Sequence, residues 1–99
     1  MLSIEKKTNG TELTVALIGR LDTTTAPEFE KELKESIDGL TVLIIDMAAL
    51  EYISSAGLRV LLSAQKIMGK QGEMKVTQVS ETIMEIFEVT GFSDILTIN

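Results

Sequence analysis

The run Thr41-Val42-Leu43-Ile44-Ile45-Asp46 is the tightest constraint on how this chain folds. It is nearly unbroken, apolar and rich in β-branched residues, the pattern of a strand covered on both faces. Such a strand lies in the middle of a sheet beside parallel neighbours, and parallel neighbours need long crossovers, usually helical. Met47 to Ile53 reads as a connection from this strand into Ser54-Ser55-Ala56-Gly57-Leu58, where an apolar helical pattern begins. Leu58, Leu61, Leu62 and Ile67 or Met68 supply the inner face of that helix, with Arg59, Gln65 and Lys66 toward water. One of the two serines should cap it, because a hydroxyl there sits beside unpaired N–H groups and the positive end of the helix dipole. The same place suits a phosphate. Asp46, ending the buried run, is expected to satisfy N–H groups of the loop after it.

The remaining segments fit around this pair. Residues 2–7 read as an edge strand with Leu2 and Ile4 on one face, and Asn9-Gly10 is a turn signal. Thr11 to Ile18 alternates, with Leu13, Val15 and Leu17 on one side, so the two strands form a hairpin. Thr25 followed by Glu28 fits a capping box, and Pro27 in the first turn gives up no intrahelical hydrogen bond. Phe29, Leu33 and Ile37 then make one apolar stripe, Glu30 and Lys34 form an i,i+4 pair, and Gly39 ends the helix. Glu73 to Val79 reads as a strand and Ser80 as an N-cap. Ile83, Ile86, Phe87 and Thr90 make a third amphipathic helix closed by Gly91, and Ile95 to Ile98 can add a short final strand. No linker or repeat divides residues 1–99, which therefore form one domain. The order β-β-α-β-α-β-α-β predicts an α/β fold: a mixed four- to five-stranded sheet with helices packed mainly on one face, joined by right-handed crossovers.

Composition narrows the chemistry. The chain has no histidine and no cysteine, which removes Ser-His-Asp catalysis, phosphohistidine transfer, thiol chemistry, disulfides and His- or thiolate-based metal sites. Its fifteen carboxylates include no Asp-x-Asp-x-Asp-Gly loop, and no glycine-rich phosphate loop is present. No catalytic residue, metal or cofactor is expected. The net charge of −6, with the nine basic residues scattered, argues against direct binding of nucleic acid. The first strand is interrupted by Glu5, Lys6 and Lys7, unlike a signal peptide, and the apolar runs are too short to span a bilayer. These features predict a cytoplasmic protein without membrane insertion that acts by binding. The exposed edge strand allows a monomer or a weak dimer.

Gly19-x-Leu21-Asp22, the strand Val42 to Asp46 with Tyr52-Ile53-Ser54-Ser55-Ala56-Gly57-Leu58 after it, and Phe87 four residues before Gly91 occur here in one order across nearly the whole length. Together they resemble the STAS family, which includes the bacterial anti-sigma factor antagonists and related domains of transporters. In antagonists of that family the signature usually reads Asp-Ser-x-Gly-Leu, and its serine is phosphorylated by an anti-sigma factor with kinase activity. Gly57-Leu58 sets the register, so the resemblance places the phosphoacceptor at Ser55 and puts Ser54 where the family commonly has Asp. It implies an anti-sigma factor antagonist that binds an anti-sigma factor (a serine kinase), frees a sigma factor, and is switched by that kinase and a serine phosphatase. Asp22, Thr23, Thr24, Ser54, Ala56, Gly57 and Leu58 are the expected partner-binding residues, and Arg20 and Arg59 read as solvated surface. The resemblance also admits a STAS subunit of a membrane lipid-transport ATPase complex, a role that needs no phosphate turnover, or another STAS signalling scaffold. Hydrolysis using Ser55 lacks a base, and nothing in the loops argues for nucleotide binding by the domain itself.

Overall fold

A computed structural model describes all of residues 1–99. Strand β1 (Leu2–Asn9) turns through Gly10 into the antiparallel strand β2 (Glu12–Leu21), with Leu2 opposite Gly19 and Asn9 opposite Glu12. Helix α1 (Ala26–Ser36) crosses to β3 (Val42–Ile53), α2 (Ser55–Gln71) crosses to β4 (Glu73–Thr77), and α3 (Glu81–Thr90) follows, with a 3₁₀ turn at Phe92–Asp94. The sheet order is β1-β2-β3-β4, with β2, β3 and β4 parallel. Two successive crossovers that step the same way across a sheet with the same hand must put their helices on one face. A single 25-residue core forms between that face and the helices, centred on Leu17, Leu43, Ile45 and Val76 from the sheet and Phe29, Leu61, Met68, Ile83 and Phe87 from the helices.

Three sequence expectations change. The central strand is flanked by parallel neighbours, but only one of its faces is covered by helices: Leu43, Ile45 and Met47 are buried, whereas Val42, Ile44 and Asp46 are half-buried on the helix-free face. The stretch Met47 to Ile53 is strand, not connection, because β3 runs on beside β2 to the pairs Arg20–Tyr52 and Leu21–Ile53. Its alternation is hidden by two register shifts: Ala16–Asp46 is followed by Ile18–Ala49, and Gly19–Leu50 by Arg20–Tyr52, so β3 holds one extra residue at each. The Asp46 carboxylate accepts the Ala48 N–H (2.9 Å) at the first of these, which satisfies a group the bulge frees. Finally, β4 ends at Thr77, and the last segment contributes one parallel bridge, Val76 with Ile98, in place of a full fifth strand.

Candidate functional site

The carboxyl ends of β2 and β3 lie side by side, and everything at the site grows from that adjacency. The Ser54 N–H donates to the Leu21 carbonyl (2.9 Å), tying the start of α2 to the residue before Asp22. Each strand then leaves the sheet through a polar turn, one leading into α1 and the other directly into α2. Loops at the carboxyl ends of parallel strands are where open α/β sheets build their binding surfaces.

The first turn is organised by Asp22. One of its carboxylate oxygens accepts from the Thr24 hydroxyl (2.7 Å), the Thr24 N–H (3.0 Å) and the Thr25 N–H (3.1 Å). These contacts, the Thr24 hydroxyl foremost, outweigh the desolvation that opposes them and hold the Asp22 carboxyl at about 2, below its ordinary 3.8. Asp22 is therefore an anion already engaged by its own loop. Thr25 stands at the N-cap of α1, but the expected capping box does not form, for its side chain makes no cap bond. Its hydroxyl is buried in the loop, donating to the Arg20 carbonyl (2.9 Å) and accepting the Asp22 N–H (2.8 Å). Closing the turn outcompetes capping because a buried hydroxyl can serve only the partners its loop brings within reach.

The second turn separates the two serines. Ser54 has the extended backbone of an N-cap (φ −97°, ψ 175°), and its hydroxyl accepts the Gly57 N–H at 3.4 Å. Ser55 is the first helical residue, exposed, and makes no side-chain hydrogen bond. Capping is thus performed by Ser54, and the Ser55 hydroxyl stands free at the positive end of a 17-residue helix.

The residues singled out from the sequence divide by depth. Thr23, Thr24 and Ser55 are exposed, and Asp22, Ser54 and Ala56 are half-buried on the same rim. Gly57 and Leu58 face inward and are buried, so they set the position of the helix and offer no side-chain surface. Two further features belong to the rim. Arg20 lays its guanidinium over the Tyr52 ring, 4.5 Å from the centroid, on the helix-free side of the strand ends. Arg59 shares a shallow recess between the starts of α1 and α2 with Thr23, Ala26, Pro27, Glu30, Ala56 and Val60. The Arg20–Tyr52 pair was invisible in the sequence, since it requires the second bulge to bring residues 20 and 52 opposite each other. The structure contains no cluster of three or more histidine, cysteine or carboxylate side chains able to hold a metal, and no helix long and apolar enough to cross a membrane.

The chain is similar to known proteins in both sequence and fold. A Bordetella bronchiseptica protein, BtrV, named for anti-sigma factor antagonism, is 38% identical over 85 residues, spanning 84% of this chain and 73% of its own. The anti-sigma-B factor antagonist of Listeria monocytogenes is 34% identical over 101 residues, spanning 98% of this chain and 88% of its own. The fold is that of the Bacillus cell fate determinant SpoIIAA in its phosphorylated form, which superposes with a TM-score of 0.75 at 17% identity, covering 100% of this chain and 91% of that one. The family model for the STAS domain matches residues 3–99, which takes in both polar turns, all but the first residue of β1, the other three strands and all three helices, and the chain belongs to the STAS domain family.

Proposed function

We propose that this chain is an anti-sigma factor antagonist: it binds an anti-sigma factor through the rim formed by Asp22, Thr23, Thr24, Ser54, Ser55 and Ala56, frees a sigma factor, and is switched off by phosphorylation of Ser55. The observation that carries this reading is the division of labour between the serines. Ser54 caps α2, which leaves the Ser55 hydroxyl exposed and uncommitted where a modifying enzyme can reach it. Relatives of 34% and 38% identity bear the antagonist name, which supports the partner class.

The physics of the switch is local. Unmodified, the rim around Ser55 is small and polar, its charges being the loop-bound Asp22 carboxylate and the Arg59 and Arg20 guanidiniums, and a partner can approach the backbone at Ala56 closely. A phosphate adds about −1.5 to −2 charges and three acceptor oxygens, which the helix N-terminus accommodates without unfolding. Docking a partner over it would strip its water, at a cost that opposing N–H groups alone do not recover. Several kcal/mol are at stake on that basis, or roughly a hundredfold or more in affinity. The kinase is the anti-sigma factor itself and a serine phosphatase resets the switch. With no base beside Ser55, the domain acts by binding, and its setting is the cytoplasm, where ATP and sigma factors are found.

The test is calorimetric titration of the cognate anti-sigma factor with wild type, Ser55→Ala and Ser55→Asp, together with mass mapping of phosphate after incubation with that factor and ATP. The expected result is wild-type affinity for Ser55→Ala, a loss of roughly a hundredfold for Ser55→Asp, and phosphate on Ser55 alone. Equal affinity of the Ser and Asp forms, or phosphate elsewhere, would overturn the reading.

A further inference from the structure

Arg59 stands one helical turn beyond Ser55 on the same face of α2, and both are exposed. Residues at i and i+4 are neighbours on a helix surface, with an acidic group on the N-terminal member and a cation on the C-terminal one as the favourable order. Arg59 enters none of the ion pairs of the protein and makes no side-chain hydrogen bond, so its five donors are uncommitted. The charged groups around it are few. Glu30 of α1 shares its recess and is paired with Lys34 at 3.8 Å, and the Asp22 carboxylate is engaged by Thr24 and Thr25. Arg20, the other cation of the rim, is held over Tyr52.

We infer that Arg59 is the intramolecular clamp of the phosphorylated state: its guanidinium swings onto the phosphate of Ser55 and holds it against the first turn of α2. The inference rests on Ser55 as the modified residue and adds what happens to the group once it is there. A guanidinium matches two phosphate oxygens at once, which a single ammonium does not. In the unmodified protein Arg59 is a free cation on the rim, beside Thr23 and Ala56. Phosphorylation therefore changes the docking surface twice, placing an anion at Ser55 and withdrawing a cation at Arg59. The clamp does not restore docking, because covering an ion pair still removes both charges from water. It makes the off state a defined, ordered arrangement of this chain alone.

The experiment places phosphoserine at position 55 of the full chain by nonsense suppression, so it does not depend on any kinase. The second ionisation of the phosphate is followed by phosphorus NMR in wild type, Arg59→Gln, Arg59→Lys and Glu30→Gln. The helix N-terminus acts on the phosphate in all four, so the difference between wild type and Arg59→Gln isolates Arg59. The expected result is a midpoint about 0.2–0.4 pH unit lower in wild type than in Arg59→Gln, with Arg59→Lys between them and Glu30→Gln at or below wild type. It should shrink in 1 M salt, as a pair exposed to solvent requires. Equal midpoints in wild type and Arg59→Gln overturn the clamp, as does a lowering that survives only while Glu30 is intact. Failure of cells to phosphorylate Ser55 would instead sink the proposed switch and leave this measurement unaffected.

Discussion

A Cβ atom built on Gly57 lies 2.7 Å from Cγ of Leu21 and 2.9 Å from Cγ1 of Ile53, closer than real side chains approach. The glycine of the Ser-Ala-Gly-Leu stretch is thus a packing requirement: it lets the first turn of α2 sit directly on the last residues of β2 and β3. The same contact holds Ser54 within reach of the Leu21 carbonyl and so positions the rim. Gly57→Ala should destabilise the fold by about 1–3 kcal/mol through overpacking. In urea unfolding, the Gly57→Ala, Leu21→Ala double variant should be less destabilised than the sum of its singles by at least about 0.5 kcal/mol. Strict additivity would mean that the two residues do not press on each other.

Ser54 and Ser55 should separate cleanly by stability. Ser54→Ala removes the acceptor of the Gly57 N–H and should cost about 0.5–1 kcal/mol, the low end for a cap because the bond is 3.4 Å long. Ser55→Ala removes an exposed hydroxyl without a partner and should stay within about ±0.5 kcal/mol. Ser54→Asp, which introduces an anionic cap, should equal or exceed wild-type stability. Thermal melts of the three variants decide the matter. A larger loss for Ser55→Ala than for Ser54→Ala would reverse the assignment.

Asp22 gives the fold an acid-sensitive element. Its folded-state value of about 2 lies below the ordinary 3.8, so the ionised form is favoured by folding and its contribution is fully present above about pH 4. That contribution is lost as the pH falls through 2, when the carboxylate protonates and its bonds from Thr24 and Thr25 lose the strength that the charge gave them. Carbon NMR of the Asp22 carboxyl should show a midpoint near 2 in wild type and a value back toward the ordinary range in Thr24→Val, which deletes the largest stabilising contact. A wild-type midpoint near 3.8 would mean that the loop is open in solution.

The order of the elements could be read from the chain because periodicity and caps agreed. Ser80 caps α3 through the Ile83 N–H, Gly91 closes it with a left-handed backbone, and Phe29 and Leu33 face the core as the stripe in α1 requires. What escaped was set by pairing between distant residues. Two extra residues in β3 break the alternation beyond Asp46, so Ala48, Ala49, Glu51 and Tyr52 read as loop although β2 lies beside them. Thr25 carries the side chain of a cap and is drawn instead into the Arg20–Asp22 turn, a competition visible only once the turn is closed. The serine pair was legible as a place, but which member caps depends on φ and ψ at Ser54. The Arg20–Tyr52 contact likewise needed the register of the strands.

Two glycines should respond in opposite directions to the same substitution, which tests how the close packing at the strand ends is built. Gly19 has φ of +106°, and a Cβ there would fall on the Met1 carbonyl oxygen, the acceptor of the Arg20 N–H (3.1 Å). Gly19→Ala must either strain the backbone or push β1 away, and should destabilise by about 1–3 kcal/mol. Because Gly19 leads directly into Arg20, Leu21 and Asp22, the variant should also shift the NMR signals of Thr24 and Ser54 at the rim. Gly69, by contrast, lies inside α2 with nothing within 4 Å of its would-be Cβ. Gly69→Ala should stabilise the helix by about 0.5–1 kcal/mol, since alanine loses less backbone freedom on folding, and should leave the rim signals in place. If both substitutions lowered the unfolding midpoint in urea, the exposed, regular helix at Gly69 would be refuted. If neither did, the close approach of Met1 to Gly19 would be.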